Sequence, residues 1–435
     1  MYSRGPAVLF ENVKGHPGWR VVGNLFCCEE AGKVGLGVGS LDEVGQRVSA
    51  PLKALGGDVA QALASLALLP RDAGRAEFAE DPSLNLQSLP SFKAWPKDGG
   101  RYLTYPLVVH YEEVDGRRVA NFGVYRVMIV GEREAVVHMQ TYKRGYEEAL
   151  RRSEAGSCEM EAAIVIGADP ATLLAGAMPA PRGLDKYVLA SLVGGRPVEL
   201  YRLPSGVKVP ASAEVVLEGR IDLCDLRPEG PFGDHVGFYD VPDRRFPTFK
   251  LERAYARPQP IYYGTVVGRP PLEDSVIGRG AERAFLPLVR FVFPEGVDVH
   301  FPEAGWFQGL AVVSIDKRMP GQGKRVAMGL LGLGQFSLTK IVVVVDKDID
   351  VRSPDQVTWA VSAFVDPSRD VVVVEGAPAD ELDVSTLPRR RVGAKLIVDA
   401  TRKLRDELGA EPPEELRPDP ETARLVDSRW AEYGL

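Results

Sequence analysis

Short apolar runs separated by turn residues fill the middle of the chain, from residue 102 onward. The runs that we expect to form strands span 107–111, 120–130, 135–140, 159–166 and 213–221. Asp115-Gly116 separates the first two runs, and Asp-Gly between apolar runs is a hairpin signal. This pattern predicts a β-rich middle region, folded as a barrel, with inserted helices such as one at 186–193.

The hydrophobic pattern changes near residue 309. From there, uninterrupted Val and Ile runs alternate with segments of helical period. The runs span 311–315, 340–346 and 371–375, and the predicted helices span 326–333 and 354–364. Uninterrupted β-branched runs indicate strands that are buried on both faces. Alternation of such strands with helices predicts a mostly parallel α/β layer.

The N-terminal pattern is less regular. Strands are predicted at 8–10 and 19–28, followed by a helical period over 44–68 that Pro51 and Gly56-Gly57 divide. A Pro- and Asp-rich stretch at 82–97 then indicates a linker. These features indicate a separate N-terminal α/β region.

The chain ends in a polar, Pro-rich segment and a helix. Asp419 fits the N-cap and Pro420 the first helical position. This helix can dock either on a neighbouring subunit or on its own chain, and the sequence favours neither alternative. We therefore expect a mixed α/β (α+β) chain with an N-terminal α/β domain at 1–104, a central barrel at 105–308, and a C-terminal α/β domain with a terminal helix at 309–435.

Composition narrows the class of protein. A length of 435 residues predicts two or three domains, and a net charge of −7 argues against nucleic acid or an anionic membrane as the partner. No apolar run is long enough to span a bilayer, and the first residues lack the apolar core of a signal peptide. A cytoplasmic enzyme is the expectation.

Four cysteines are too few for a disulfide scaffold and lack zinc spacing. We expect the adjacent Cys27 and Cys28 to be core thiols on a strand rather than a redox pair.

The segment at 229–239 is the strongest candidate for chemistry. Glu229 and Asp234 flank a Gly-Pro-Phe-Gly turn, and His235 and Tyr239 follow closely. Proline fixes its own φ and glycine permits turn conformations, so the segment predicts a rigid loop that carries ionisable groups. An acidic pair in a surface turn is the alternative, with about equal weight.

A second candidate lies at 121–126, where strand alternation places Asn121, Gly123 and Tyr125 on one face. Arg126 in an apolar strand requires a carboxylate partner or a ligand, and a snorkelling arginine is the alternative. His138, in another apolar strand, is more often a satisfied core residue than a ligand.

These motifs resemble a known family. The stretch Glu229-Gly230-Pro231-Phe232-Gly233-Asp234-His235, with Gly237 and Tyr239, is similar to the signature of UbiD-type decarboxylases. Similar stretches follow the family's order along the whole chain, at 9–17, 121–126, 209–219, 270–274, 340–350 and 393–401.

The resemblance implies an enzyme that uses prenylated FMN, supplied by a partner flavin prenyltransferase, for non-oxidative decarboxylation of α,β-unsaturated or aromatic acids. It implies an FMN-binding split β-barrel in the centre and a homodimer or homohexamer.

By position, the resemblance makes Arg126 and Glu229 the coupled catalytic pair and Asp234 the proton donor. It makes Asn121 a ligand of a divalent metal, Mn or Mg, that bridges to the cofactor phosphate, with potassium as a further cation. The remaining implied cofactor contacts are Val124, Tyr125, Arg126, His138, Met178, Lys186 and Lys340.

Two departures from the family concern the metal. The family's histidine ligand falls at about Tyr142, and His138, the nearest histidine, is kept as the candidate metal ligand. The family's glutamate ligand falls at Lys186, beside Asp185. A charged lysine cannot ligate a cation, so either Asp185 replaces the glutamate or the Lys186 ammonium contacts the phosphate. We expect weakened metal occupancy.

The chain is shorter than typical polyprenyl-hydroxybenzoate members of the family and resembles more the compact archaeal-type branch. That branch decarboxylates trans-anhydromevalonate 5-phosphate to isopentenyl phosphate in a modified mevalonate pathway of isoprenoid biosynthesis. The alternative is a decarboxylase of hydroxybenzoate-type aromatic acids, including polyprenyl-hydroxybenzoate. A flavin-binding protein without activity is disfavoured, because a binder needs no acid–base set.

Overall fold

The computed structural model describes residues 5–53, 67–388, 391–416 and 418–434. Most of the second half of the helical period predicted at 44–68 lies outside these residues.

Within the described residues the chain forms a mixed α/β fold, as predicted. The strands are β1 (Val8–Phe10), β2 (Arg20–Gly23), β3 (Arg71–Asp72), β4 (Ala79–Glu80), β5 (Tyr102–Leu103), β6 (Leu107–Val114), β7 (Arg117–Val124), β8 (Val127–Ile129), β9 (Glu134–Val137), β10 (Glu159–Ile166), β11 (Glu199–Arg202), β12 (Lys208–Pro210), β13 (Val215–Arg227), β14 (Phe232–Gly233), β15 (Tyr239–Asp240), β16 (Phe246–Ala256), β17 (Ile261–Tyr263), β18 (Gly296–His300), β19 (Leu310–Ile315), β20 (Ile341–Asp346), β21 (Val371–Pro378) and β22 (Val392–Asp399).

The α-helices of the described residues connect or cover these strands. They are α1 (Glu29–Leu36), α2 (Asp42–Lys53), α3 (Arg144–Glu154), α4 (Pro170–Ala177), α5 (Lys186–Gly194), α6 (Asp274–Val292), α7 (Gln322–Leu331), α8 (Pro354–Phe364), α9 (Pro367–Asp370), α10 (Arg405–Leu408) and α11 (Pro420–Ser428).

The middle of the chain is one curled antiparallel sheet in the order β5-β8-β9-β16-β13-β10-β6-β7, with β4 added on β16. Alternate residues face opposite sides: Leu107 and Val109 belong to the core beneath α4 and α5, whereas Val108 lies in the core on the other face. The β-rich middle region that the apolar runs and turn residues predict is confirmed, and its sheet curls into a half-barrel. The single strand predicted at 120–130 is divided into β7 and β8, because the chain turns at Tyr125 and Arg126.

A small N-terminal sheet has the order β1-β2-β17, in which β17 returns from far along the chain to pair parallel with β2. The expectation of core thiols on a strand is wrong. The strand ends at Gly23, and Cys27 and Cys28 lie in the loop before α1, with Cys28 exposed. Their Sγ atoms are 3.7 Å apart and not bonded as a disulfide.

The C-terminal sheet has the order β18-β19-β20-β22-β21. Its centre is parallel, as predicted, and β20 is buried on both faces. The prediction of a buried strand at 371–375 is wrong: β21 is an antiparallel edge strand, and Val373 and Val374 are exposed. A run of valines reports β propensity, but the number of neighbouring strands decides burial.

The other two cysteines form a disulfide, Cys158–Cys224, next to the paired strands β10 and β13. Helix α11 begins as predicted, with Asp419 accepting hydrogen bonds from the backbone of Glu421 and Thr422. In the part of the chain that the structure describes, no helix is long and apolar enough to cross a membrane.

Candidate active site

The acids of the hairpin at 229–240 are buried although its tip at Phe238 is exposed, so the surface-turn alternative fails for the acidic pair. Glu229 and Asp234 are 5% and 7% exposed. Strand β14, which lies between these two acids, pairs antiparallel with β15, which ends at Asp240. Gly230 has a φ of +90°, a left-handed conformation that glycine adopts without steric cost. This turn directs the three carboxylates inward.

Arg126 lies at the centre of these carboxylates. Its Nε donates to Glu229 Oε1 at 3.0 Å and its Nη2 to Glu229 Oε2 at 2.8 Å. Nη2 also donates to Asp240 Oδ2 at 2.6 Å, and Nη1 donates to Asp234 Oδ2. The guanidinium stacks over the Phe232 ring, so Arg126 is a buried ion-pair centre and not a snorkelling residue.

Two histidines extend the network. His138 Nδ1 lies 3.0 Å from Glu229 Oε2, and its ring stacks on Phe246. His235 Nδ1 lies 2.8 Å from Asp234 Oδ1.

These contacts set the ionisation of the site. Burial opposes charge on both acids, but Arg126 and His138 lower the pKa of Glu229 to about 2. His235 and then Arg126 likewise hold the pKa of Asp234 below its usual range, against its burial. Burial works against protonation of His235, but its contact with Asp234 raises the pKa of the imidazole. The free protein therefore holds both acids ionised.

His138, Glu229 and Asp240 offer ligand atoms within 4.8 Å of one another, the one such group of three among the residues described. The positive charge of this group is already supplied by Arg126, whose Nη2 bonds both Glu229 and Asp240. The structure thus places His138 beside Glu229 and Asp240.

Asn121 belongs to a different buried cluster. Its Nδ2 donates to Glu112 Oε1 at 2.9 Å and lies 3.2 Å from His110 Nε2. Arg144 binds both oxygens of Glu112, at 3.0 and 2.7 Å. The two predicted metal ligands, Asn121 and His138, therefore have different partners.

Lys186 and Asp185 lie at the start of α5, next to this cluster. Asp185 is the N-cap residue and accepts from the backbone of Tyr187 and Ala120. Lys186 is 5% exposed, and its Nζ donates to the Gly176 carbonyl at 3.1 Å. Burial, followed by the charges of Arg144 and Lys143, lowers the pKa of Lys186 to about 7.

The remaining predicted cofactor contacts are dispersed. Tyr125 and Met178 are buried, and Val124 is half-buried at the end of β7. Lys340 reaches Asp383 Oδ1 at 3.2 Å and Ser385 Oγ at 2.5 Å, on a loop of the C-terminal sheet. Tyr142 is 44% exposed.

Sequence reasoning missed His110, Glu112, Arg144 and Asp240. A signal for the first two was available, because they stand two residues apart in the apolar run of β6 and therefore share a face. Strand register then places His110 opposite Asn121. No comparable signal marks Arg144 or Asp240, since both act on residues distant in sequence.

The site is a buried guanidinium bound by three carboxylates, between strands β7 and β8 of the curled half-barrel. Clustered, buried ionisable groups of this kind can bind an anion and carry out acid–base chemistry. Three family models, all of 3-octaprenyl-4-hydroxybenzoate carboxy-lyase, match in order: its N-terminal domain at residues 1–48, its Rift-related domain at 69–270 and its C-terminal domain at 275–400. The chain belongs to this UbiD family of carboxy-lyases, and it is a decarboxylase.

Relatives and solved structures agree with this assignment. An uncharacterized protein of Aeropyrum pernix is 54% identical over 99% of this chain and 91% of its own. The closed form of vanillic acid decarboxylase from Sedimentibacter hydroxybenzoicus has the same fold, with a TM-score of 0.87, 24% identity and coverage of 98% and 90%.

The UbiD-class enzyme HmfF from Pelotomaculum thermopropionicum, in complex with FMN, has a TM-score of 0.75 and 26% identity, with coverage of 97% and 91%. An evolved dimeric form of HmfF has been solved with prenylated FMN.

Proposed function

We propose that this protein is a prenylated-FMN-dependent, non-oxidative decarboxylase of an α,β-unsaturated acid. The buried network of Arg126 with Glu229, Asp234 and Asp240 is the observation that carries the proposal. A purely structural site would not need one arginine and three carboxylates buried together, because desolvation of charges is costly.

Prenylated FMN, when bound, supplies the electron sink that no side chain provides for the charge left by departing CO2. Arg126 can donate the second N–H of Nη1 to the substrate carboxylate, while its Nε and Nη2 keep Glu229 ionised. Asp234 returns a proton to the product carbon. Because Asp234 is ionised in the free protein, His235, with its Nδ1 2.8 Å away, is positioned to deliver that proton.

The chain's own residues fit a flavin phosphate better than a divalent metal. The residues that would hold the cofactor are Asn121, Val124, Tyr125, Arg126, His138, Met178, Lys186 and Lys340. Lys186, which is buried, and Arg144, which is partly buried, supply positive charge for the phosphate. Asp185, the candidate replacement for a metal-binding glutamate, is directed to backbone amides instead.

For the substrate, trans-anhydromevalonate 5-phosphate, converted to isopentenyl phosphate in a modified mevalonate pathway, is the first candidate. The second is an aromatic, hydroxybenzoate-type acid, which the Phe232 and Phe246 rings beside Arg126 and His138 favour. A flavin-binding protein without activity is the third, and the acid–base network argues against it. A flavin prenyltransferase is the proposed partner, and the assembly is a homodimer or homohexamer.

Phosphorus NMR of the cofactor-loaded protein, prepared without oxygen and given trans-anhydromevalonate 5-phosphate, tests the proposal. A new isopentenyl phosphate signal is expected. Asp234→Asn should retain the flavin absorbance but lose turnover by about 10²- to 10⁴-fold, the range for a general acid. Asp355→Asn, at an exposed position on α8, is the control and should turn over normally.

If no isopentenyl phosphate signal appears although mass spectrometry confirms the bound prenylated flavin, the substrate would instead be an aromatic acid. Normal turnover by Asp234→Asn would contradict the donor role.

A further inference from the structure

The buried cluster around Lys186 has a charge arrangement that the decarboxylase chemistry does not require. Two helices begin there with a basic residue: α3 with Arg144 and α5 with Lys186. Cations at a helix N-terminus are disfavoured, because the macrodipole is positive at that end. The two helix starts adjoin, since Arg144 Nη1 donates to the Leu184 carbonyl at 3.3 Å.

Charge in the cluster is not balanced by carboxylates. Three basic residues, Arg144, Lys186 and Lys143, face two carboxylates, Glu112 and Asp185, and burial lowers the pKa of both lysines. Among the described residues, no carboxylate oxygen lies within 4.0 Å of Lys186 Nζ, although this side chain is almost completely buried. A buried lysine without an ion partner shifts its pKa toward the neutral form, and a bound anion would provide the counter-charge that keeps it protonated.

A second polar group lacks a partner. Asn121 Nδ2 lies 3.2 Å from His110 Nε2, so the amide can donate to that nitrogen and His110 Nδ1 then carries the proton. His110 is fully buried, and its Nδ1 makes no hydrogen bond within the described part of the chain. An unpaired donor beside two cations and two helix N-termini suits an anion with several oxygens.

The same cluster does not suit a divalent metal. Both oxygens of Glu112 are bound by Arg144, and both oxygens of Asp185 accept from backbone N–H groups. A metal ion beside Asn121 would find no available carboxylate here and would be repelled by the Lys186 ammonium.

We propose that Lys186 and Arg144, with the starts of α3 and α5, bind the phosphate of the flavin directly and without a divalent metal. The inference rests on the flavin-dependent function proposed above and specifies how this chain holds its cofactor. A compact ammonium and a forked guanidinium are the two side chains that bind phosphate best.

Flavin binding to the purified, flavin-free protein tests this, with FMN and riboflavin as the probes and fluorescence quenching as the readout. FMN affinity should be the same in excess EDTA and in excess MnCl2. Lys186→Gln should weaken FMN binding by about 10- to 100-fold, the value of one or two charge-assisted hydrogen bonds. Riboflavin, which lacks the phosphate, should bind wild type and Lys186→Gln equally.

Two controls keep the test specific. Lys186→Arg retains the cation and should retain FMN affinity. Lys208→Gln removes a lysine that pairs with Asp72 at the surface of the same half of the chain. It should change the affinity for neither FMN nor riboflavin.

The outcomes separate the inference from the proposed function. FMN binding that requires Mn2+ would overturn the metal-free phosphate site and leave flavin dependence standing. Equal loss of affinity for FMN and riboflavin in Lys186→Gln would also overturn it, because the effect would not depend on the phosphate. Unchanged FMN affinity in Lys186→Gln would overturn it as well, because Lys186 would then not bind the phosphate. Failure of both flavins to bind wild type in either buffer would overturn both proposals.

Discussion

Arg126 connects residues that the chain keeps far apart: Glu229 lies 103 positions away and Asp240 lies 114 positions away. Burial of this arginine with three acids is expensive, and removal of one partner of a buried pair costs about 3–5 kcal/mol. The network therefore ties the stability of the fold to the ionisation of the site.

Acid titration should expose this link. The pKa of Glu229 is depressed to about 2 in the folded protein, so its stabilising contribution is present above the unfolded value and is lost as pH falls toward 2. We expect Glu229→Gln to be less stable than wild type at neutral pH and the difference to shrink between about pH 4.5 and 2. Urea unfolding across this range measures the free energies.

Glu134→Gln is the matched control, because Glu134 also pairs bidentately with an arginine, Arg227, but at the surface. Surface pairs contribute about 0–1 kcal/mol, so this variant should show a smaller difference. A Glu229→Gln difference that stays constant with pH would contradict the prediction.

At the scale of elements, register and helix starts bring the ionisable groups together. Pairing of β6 with β7 sets His110 opposite Asn121, and α3 and α5 each begin at a basic residue of the same cluster. Gly145 permits this approach, since a Cβ there would lie 2.5 Å from Tyr125 Oη and 3.4 Å from His110 Nε2.

The Cys158–Cys224 disulfide closes a segment of 66 residues between β10 and β13. Because it restricts the unfolded chain, its removal by Cys158→Ser with Cys224→Ser should lower the free energy of unfolding by about 2–5 kcal/mol. Denaturant titration measures the change, and wild type under reducing conditions should match the double variant.

Cys27→Ser with Cys28→Ser, which removes the two free thiols, is the control and should leave the unfolding midpoint near that of wild type. Equal midpoints for the two double variants would mean that the disulfide does not stabilise the protein.

At the scale of the whole molecule, the C-terminal layer contacts the half-barrel near the site. Gln140 Nε2 donates to Asp380 Oδ1 at 2.6 Å, and the Thr141 N–H donates to Glu381 Oε1 at 3.1 Å. The end of the chain behaves differently: Leu425 on α11 and Trp430 just after it are more than half exposed. Among the described residues, α11 does not bury its apolar side chains against its own chain.

This exposure favours the alternative in which α11 docks on a second copy. Deletion of residues 410–435 should lower the molecular mass of the assembly, measured by light scattering after size-exclusion chromatography. Leu425→Asp should act in the same direction, because it places a charge in an apolar interface.

Arg424→Ala, at a neighbouring exposed position, is the control for the mass measurement. A monomeric wild type, or an unchanged mass in both the deletion and Leu425→Asp, would contradict docking of α11 between copies.

Local rules of the sequence predicted much of the fold. Strand β10 and helix α8 have the bounds that the apolar patterns indicated, and Asp419 caps α11 as expected. Alternation, turn residues and caps act between residues a few positions apart, so one sequence reveals them. The loop at 229–234 was recognisable for the same reason, because its glycines, proline and two acids lie within a few positions of one another.

The sequence by itself therefore determined the class of fold, the family resemblance and the acids of the site. Only the tertiary structure decided that β21 is an edge strand, that Cys158 meets Cys224, and that His138 joins Glu229 instead of Asn121. It also decided that Lys186 is buried without a carboxylate partner among the described residues. Apolar pattern reports whether a side chain is buried, but which charged groups meet depends on contacts between distant segments, and those contacts set both pKa and ligand preference.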